Sequence, residues 1–328
     1  MLKLRGSLFG SLRATILSWF PLRGSSAILA CCRLRSVIII FQQRNMSHLI
    51  LQSPTLDQAV IEKIAAIVSA DGVQELGPTA VRILGADSNE KPQVAVECQR
   101  ARMDFAFLEQ IQLLRECKIL VMDMDSTLIN IECIDEIAAA VGRKEQVSAI
   151  TEAAMRGEIA DFTESLIRRV RLLEGVPESA LMSVYENRLQ LNAGAENLVA
   201  TAKKHGVHTL LVSGGFTFFT EKLKTRLELN EAHANTLEVV DGTLTGRVLG
   251  DIVDAQAKAG YVTQLATRLG AAPEQIIAVG DGANDLKMME KAKFSVAYRA
   301  KPVVQEQAAY ALNHAPLDAI LNWFRLSH

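Results

Sequence analysis

Short apolar runs recur through the C-terminal two thirds of the chain at Ile119–Met122, Thr209–Val212, Ile276–Val279 and Phe294–Tyr298. Runs of this length, apolar on both faces, are the signature of buried parallel strands. Helical spacing fills the intervals, notably Thr217–Leu227 and Ala255–Leu269. Strands alternating with helices predict a parallel sheet with crossover helices, an α/β fold. Leu237–Val240 and Leu244–Val248, joined by Asp241-Gly242, predict a β-hairpin. Phe294–Tyr298 reads as the last strand, followed by helices at Val303–Leu312 and Leu317–Phe324.

One interval does not fit this rhythm. From Ile131 to Leu191 the pattern is helical throughout, broken only by Gly142, Gly157, Gly175 and Pro177. So long a helical block cannot lie within the sheet. It must project over the carboxyl edge of the strands, which makes it a lid for a small-molecule site.

Ahead of the α/β region, Ser47–Glu116 reads as a small α+β module. Its strands are expected at His48–Gln52, Val81–Leu84 and Val94–Glu97, and its helices at Leu56–Val68 and Phe105–Leu114. The turn-forming Ala86-Asp87-Ser88-Asn89 separates two of the strands. No catalytic constellation is visible in this module.

The leading segment has another character. Residues 1–45 carry seven Lys or Arg and no acid, and their uncharged stretches are broken by Arg23, Arg33 and Arg35. None approaches the ~20 apolar residues of a membrane span. An Arg- and Ser-rich, acid-free leader has the composition of an organelle transit segment. The competing reading, an upstream start with Met46 as the true first residue, is preferred because the remainder reads as a bacterial-type cytoplasmic enzyme.

Removing that segment changes the charge. The 28 remaining basic residues face 37 acids, so the body carries about −9 where the full chain carries −2. Such a body disfavours nonspecific nucleic-acid binding. The five cysteines (Cys31, Cys32, Cys98, Cys117, Cys133) form no CxxC pair or zinc spacing and suit a reducing compartment.

Four separated motifs carry the chemistry. Asp123-Met124-Asp125-Ser126-Thr127 follows the first apolar run. Side chains alternate along a strand, so acids two apart share one side, and the carboxyl ends of strands are where open α/β sheets place their active sites. An isolated DxD is common, and a turn or helix cap is its bland explanation. An EF-hand fails, since Gly is missing at the sixth position and Ile134 stands at the twelfth. Ser213-Gly214-Gly215 ends the second run and exposes backbone N–H groups to an anion. Lys258 sits among small residues on a helix, where a lysine is normally just solvated. Gly280-Asp281-Gly282-Ala283-Asn284-Asp285 ends the third run with two acids, hard oxygen donors of the kind Mg²⁺ prefers.

Taken in order, these motifs resemble the haloacid dehalogenase-like (HAD) superfamily of phosphotransferases over roughly Lys118–Phe324. Within the lid, Glu132, Met155-Arg156-Gly157, Phe162, Ser165 and Arg168-Arg169 resemble the phosphoserine phosphatase family in its long bacterial-type form. The resemblance implies a Rossmann-like core at 117–130 and 192–328, a helical cap at 131–191, and an ACT-like module at 47–116. It also implies one Mg²⁺ per site, held by Asp123, Asp125 through its main-chain carbonyl, and Asp281, with Asp285 and Thr127 in support.

By the same resemblance Asp123 is the nucleophile that takes up the phosphoryl group. Asp125 is the general acid and then the general base. Ser213, Gly214, Lys258 and Asn284 hold the phosphoryl group, while Met155 and Phe162 cover the substrate. Glu132 suits an ammonium and Arg169, with Arg168 as its neighbouring rival, suits a carboxylate. The implied reaction is release of phosphate from O-phosphoserine, the last step of serine biosynthesis. The partner is a small molecule, with no nucleic acid or membrane and room for a homodimer. Two rivals stand beside it: the same chemistry on another phosphomonoester such as phosphohomoserine, and a non-catalytic amino-acid sensor.

Overall fold

The computed structural model describes residues 46–155, 158–159 and 161–326, the side chains at 154 and 155 excepted. Residues 1–45, the Met155 side chain and Arg156-Gly157, for which the sequence raises expectations, lie outside the described residues.

Six elements form the N-terminal module: β1 (Met46–Gln52), α1 (Gln58–Ile67), β2 (Gly72–Gly77), β3 (Ala80–Asp87), α2 (Lys91–Ala101) and β4 (Asp104–Leu108). The strands pair antiparallel in the order β2-β3-β1-β4, giving a ferredoxin-like βαββαβ topology. Leu49 and Leu51 point toward Ile61 and Ile64 of α1 and Val94 and Cys98 of α2. Ile50, Ala106 and Leu108 face the other way, into the main core.

Two expectations fail here. Val94–Glu97 is not a strand but the middle of α2, because Val94 and Cys98 are the buried pair, four apart as a helix requires. Phe105–Leu114 is not a helix. Its first half is β4, with Ala106 and Leu108 buried on one face and Phe105 and Phe107 on the other. Strand β2, largely exposed, was not expected at all.

The second sheet has the order β11-β10-β9-β5-β6-β7-β8. Its members are β5 (Ile119–Met122), β6 (His208–Phe216), β7 (Glu231–Val240), β8 (Thr243–Leu249), β9 (Ile276–Gly280), β10 (Phe294–Tyr298) and β11 (Tyr310–Leu312). All neighbours are parallel except the β7–β8 hairpin. Strand β5 lies at the centre, every residue buried. Its two faces separate cleanly. Ile119 and Val121 pack with Val262 and Leu265, whereas Leu120 and Met122 join the larger cluster with Leu198 and Phe219. The expected helix at Val303–Leu312 stops early, since only Pro302–Gln307 is helical and the rest forms edge strand β11. The expected helix at Leu317–Phe324 is a 3₁₀ segment, Leu317–Trp323.

Among the described residues between β5 and β6, a cap is built from α3 (Cys133–Ala140), α4 (Lys144–Met155), α5 (Phe162–Arg171) and α6 (Ser179–Asn187). Helix α7 (Ala195–Lys204) then returns the chain to the sheet, α8 (Thr217–Leu227) follows β6, and α9 (Ala255–Leu269) precedes β9. Two short helices complete the set, α10 (Leu286–Met289) after β9 and α11 (Pro302–Gln307) after β10. The connections into and out of the cap touch at an antiparallel bridge, Ile129 with Leu191. The module is tied to this body by Asp104, whose buried carboxylate accepts the main-chain N–H groups of Asn313, His314 and Ala315 at 2.8, 2.9 and 2.7 Å. No helix among the described residues is long and apolar enough to cross a membrane.

Candidate active site

The loops after β5 and β9 meet beside Ser213–Gly215, the stretch of β6 where its pairing with β7 shifts. The β5 loop is the most constrained. Ser126 takes a left-handed conformation (φ 55°), rare for a non-glycine residue. The turn is closed by the Ile129 N–H to the Met124 carbonyl at 3.0 Å. It is braced from outside by Asn192, whose Nδ2 donates to the carbonyls of Thr127 at 2.8 Å and Ile129 at 3.0 Å. Sequence reading missed Asn192, because its contacts are with backbone more than sixty positions away.

Lys258 is 0% exposed, and its Nζ lies 2.5 Å from Asp123 Oδ1 and 2.8 Å from Asp285 Oδ1. A fully buried ammonium is tolerated only when it is paired. Burial alone would lower its pKa, but the two carboxylates outweigh that and raise it, so Lys258 stays charged. Asp285 is fully engaged, since its Oδ2 accepts the N–H groups of Asp281 and Gly282 at 3.2 and 3.0 Å. It thereby shapes the β9 loop as well as holding the lysine. Thr127 donates to Asp281 Oδ1 at 3.2 Å and so links the β5 and β9 loops.

Carboxylate oxygens of Asp123, Asp281 and Asp285 lie within 4.8 Å of one another. Desolvation, reinforced by Asp285, pushes Asp123 well above the usual carboxylate range despite Lys258. Desolvation, with Asp285 and Glu132 adding, carries Asp281 up to about 7. Three acids crowded in this way call for a cation, and an all-oxygen donor set suits a hard divalent ion. The residues fit Mg²⁺. The Asp125 carboxylate is not part of this group; its Oδ1 accepts the Cys133 N–H at 3.1 Å. Burial and then the neighbouring Glu132 raise Asp125 to about 7, against the pull of the Cys133 hydrogen bond. An acid poised there can give and take a proton near neutral pH.

The irregular end of β6, where its pairing with β7 shifts between Val212 and Phe216, explains its glycines. A Cβ at Gly215 would lie 2.5 Å from Asp125 Oδ2, and one at Gly214 would lie 2.9 Å from Cζ of Phe162. Ser213 is buried, and its Oγ accepts the Gly215 N–H at 2.8 Å. These loops floor a cleft of about 870 Å³ roofed by the cap. Glu132, Phe162 and Arg169 line it from the cap side, and Asn284 and Lys301 from the core. Ser126 donates from Oγ to Glu132 Oε1 at 2.7 Å, a partnership the sequence did not suggest. Burial raises Glu132 above the ordinary carboxyl range, while Ser126, Arg169 and Lys301 pull it down. Arg169 is largely withdrawn from solvent, which lowers its pKa, though Asp135, Glu132 and Asp125 oppose this. Arg168, the rival candidate, instead pairs with Glu164 at the surface. The lone buried cysteines Cys98, Cys117 and Cys133 form no disulfide.

The structure therefore brings Asp123, Asp125, Thr127, Ser213, Lys258, Asp281 and Asp285 to one point beneath the cleft, with Glu132, Phe162, Arg169, Gly214 and Asn284 around it. A mostly parallel sheet whose strands bring two acids, a serine and two further acids around a buried helical lysine beneath a helical cap defines a phosphotransferase of the aspartate-nucleophile type. The model of the haloacid dehalogenase-like hydrolases matches residues 120–290, and a model of a domain of unknown function (DUF4072) matches residues 49–94. A phosphoserine phosphatase of Polaromonas sp. is 53% identical over 212 residues, which span 63% of this chain and 90% of that protein. The unliganded crystal structure of a probable phosphoserine phosphatase from Vibrio cholerae superposes with a TM-score of 0.73 at 36% identity, covering 86% of this chain and 88% of that one. That span exceeds core and cap together. A structure of a phosphoserine phosphatase with a phospho-aspartyl intermediate analogue gives a TM-score of 0.60 at 39% identity, over 64% of this chain and 99% of that one. The chain belongs to the haloacid dehalogenase-like hydrolases and, within them, to the phosphoserine phosphatase family.

Proposed function

We propose that this chain hydrolyses O-phospho-L-serine to serine and phosphate in a Mg²⁺-dependent reaction through an aspartyl-phosphate on Asp123. The observation that carries this reading is the buried Lys258, which holds Asp123 and Asp285 together beneath a cleft whose walls present Glu132 and Arg169. The donor set of Asp123 and Asp281, with the Asp125 main-chain carbonyl, is the cation's site, and Asp285 supports it through Lys258. Bound Mg²⁺ supplies the positive charge that lets a dianionic phosphate approach a carboxylate.

The protein groups then divide the work. Asp123 attacks phosphorus with one carboxylate oxygen, and the bond from phosphorus to the serine oxygen breaks. Asp125, protonated at neutral pH to a useful extent, gives its proton to the departing alkoxide. In the second half Asp125 takes a proton from water as that water attacks phosphorus and frees Asp123. Such proton transfers are typically worth roughly 10²–10⁴-fold. Ser213, Gly214, Asn284 and Lys258 hold phosphoryl oxygens. Glu132 receives the substrate ammonium and Arg169 its carboxylate, while Phe162 and Met155 exclude water.

The divisions that follow are part of the same reading. Residues 117–130 and 192–328 form the catalytic core, 131–191 the cap, and 47–116 an ACT-like module. The ferredoxin-like strand order of that module supports the last assignment. A cytoplasmic small-molecule enzyme completes it. The test is phosphate release from O-phospho-L-serine by wild type and Asp123→Asn, with and without a chelator. Release should need both the metal and Asp123. Turnover surviving in Asp123→Asn, or phosphohomoserine and sugar phosphates being hydrolysed as well as phosphoserine, would overturn the reading.

A further inference from the structure

Six of the side chains that line the cleft are Asp or Glu, and only two are cationic, Arg169 and Lys301. Lys301 is exposed and makes no ion pair among the described residues. Nothing in the proposed mechanism uses it.

Its backbone is nevertheless held firmly. Arg299 adopts φ 45° and donates its N–H to the Leu312 carbonyl at 2.7 Å. Gln305 Nε2 donates to the Ala300 carbonyl at 2.6 Å, and the Lys301 N–H reaches the carbonyl of Asp281 at 3.3 Å. Pro302 fixes the next step of the chain in the first turn of α11. The loop thus presents Lys301 to the cleft from the core side, tied to the same residue that offers a metal-binding carboxylate.

Geometry limits where a substrate carboxylate can go. In an α-amino acid the ammonium and the carboxylate share one carbon, so an ammonium at Glu132 leaves the carboxylate beside Glu132 too. Arg169 from the cap and Lys301 from the core are the cations whose fields reach Glu132. Arg169 is already partly committed: its Nε donates to the Ser165 carbonyl at 3.3 Å, and Asp135 stands nearby. We infer that Lys301 is a specificity-determining residue that closes on the substrate carboxylate from the core side, opposite Arg169, so that only a cap folded down over the core completes the carboxylate site. The inference rests on the reading of Glu132 as the ammonium partner and deepens it.

The test compares Lys301→Met and Lys301→Arg with wild type, measuring KM and kcat for O-phospho-L-serine and the inhibition constant of inorganic phosphate. Phosphate occupies the phosphoryl pocket but has no carboxylate. Lys301→Met should raise KM about tenfold, the scale of one charge-assisted contact, with kcat within about a factor of two. Phosphate inhibition should not move, and Lys301→Arg should restore most of the KM. An unchanged KM, or a parallel weakening of phosphate, would overturn the assignment. A wild-type protein that releases no phosphate from phosphoserine would instead overturn the function beneath it, and the inference with it.

Discussion

The ring of Phe162, the first residue of α5 in the cap, lies against the main chain of Gly214 in the core, so close that a Cβ there would sit 2.9 Å from Cζ. This contact is where roof and floor of the cleft meet. It requires a residue without a side chain at Gly214 and a flat one at Phe162. Gly214 is not in a left-handed conformation, so the requirement is one of space.

Gly214→Ala should therefore hinder the cap from closing without disturbing the sheet. The expected result is a fall in kcat/KM of roughly tenfold to a hundredfold, the scale of a misplaced closing element, with little change in Tm. Steady-state kinetics and a thermal melt on the same sample decide it. A large loss of Tm would mean that the glycine serves the fold instead.

Removing Lys258 should be felt twice. Lys258→Met keeps the volume but leaves Asp123 and Asp285 buried against each other with no cation between them. Breaking a buried pair on one side typically costs about 3–5 kcal/mol, and losing a preorganised charge at the reacting atoms about 10²–10³ in kcat. Denaturant unfolding and phosphate release measure the two effects separately. Asp285→Asn, which leaves Lys258 its bond to Asp123, should be milder in both.

The pH dependence of stability has a defined sign. In the metal-free protein Asp125 and Asp281 are raised from 3.8 to about 7. The folded state holds these protons more tightly than the unfolded chain. Their contribution to stability is complete below pH 3.8 and is lost as the pH rises through about 7. The chelated protein should thus lose Tm between about pH 4 and 7, and the gain in Tm on adding Mg²⁺ should grow over the same range. Asp281→Asn should flatten the metal-free decline. A Mg²⁺ effect that is constant with pH would contradict this account.

The parts of this protein legible in its sequence are those where local pattern and burial agree. Strands β5 and β9 are apolar on both faces and end at acids, so position and chemistry are written together. Helix α9 announces both its ends, with Asp254 capping Ala257 N–H and Gly270 in the left-handed conformation. Where pattern and burial diverge, reading failed. Val94-Ala95-Val96-Glu97 alternates like a strand, yet Val96 is exposed and the helix buries Val94 with Cys98. Strand β2 buries none of its residues and exposes Val73 beside Gln74 and Glu75, so it has no apolar face to find. Asn192 and Lys301 were invisible for another reason. The backbone partners of Asn192 and the place of Lys301 in the cleft are brought about only by the finished fold.

Asn192 gives the last prediction. Its amide donates to the Thr127 and Ile129 carbonyls, and its own N–H donates to the Leu128 carbonyl at 3.0 Å, so one residue from the exit of the cap grips the loop at its entrance. That loop keeps Ser126 at φ 55°, and Ser126 in turn orients Glu132 through the 2.7 Å hydrogen bond. Asn192→Asp replaces a donor by an acceptor facing carbonyl oxygens, while Asn192→Ala merely removes it. Buried donors lost in this way cost about 1–3 kcal/mol, and the aspartate should be the worse of the two. If the brace acts through Glu132, both variants should raise KM for phosphoserine, and Ser126→Gly should relieve the backbone strain yet reproduce that rise in KM, because it removes the hydroxyl. A Ser126→Gly enzyme with wild-type KM would show that the grip of Asn192 serves Asp123 and Asp125 alone.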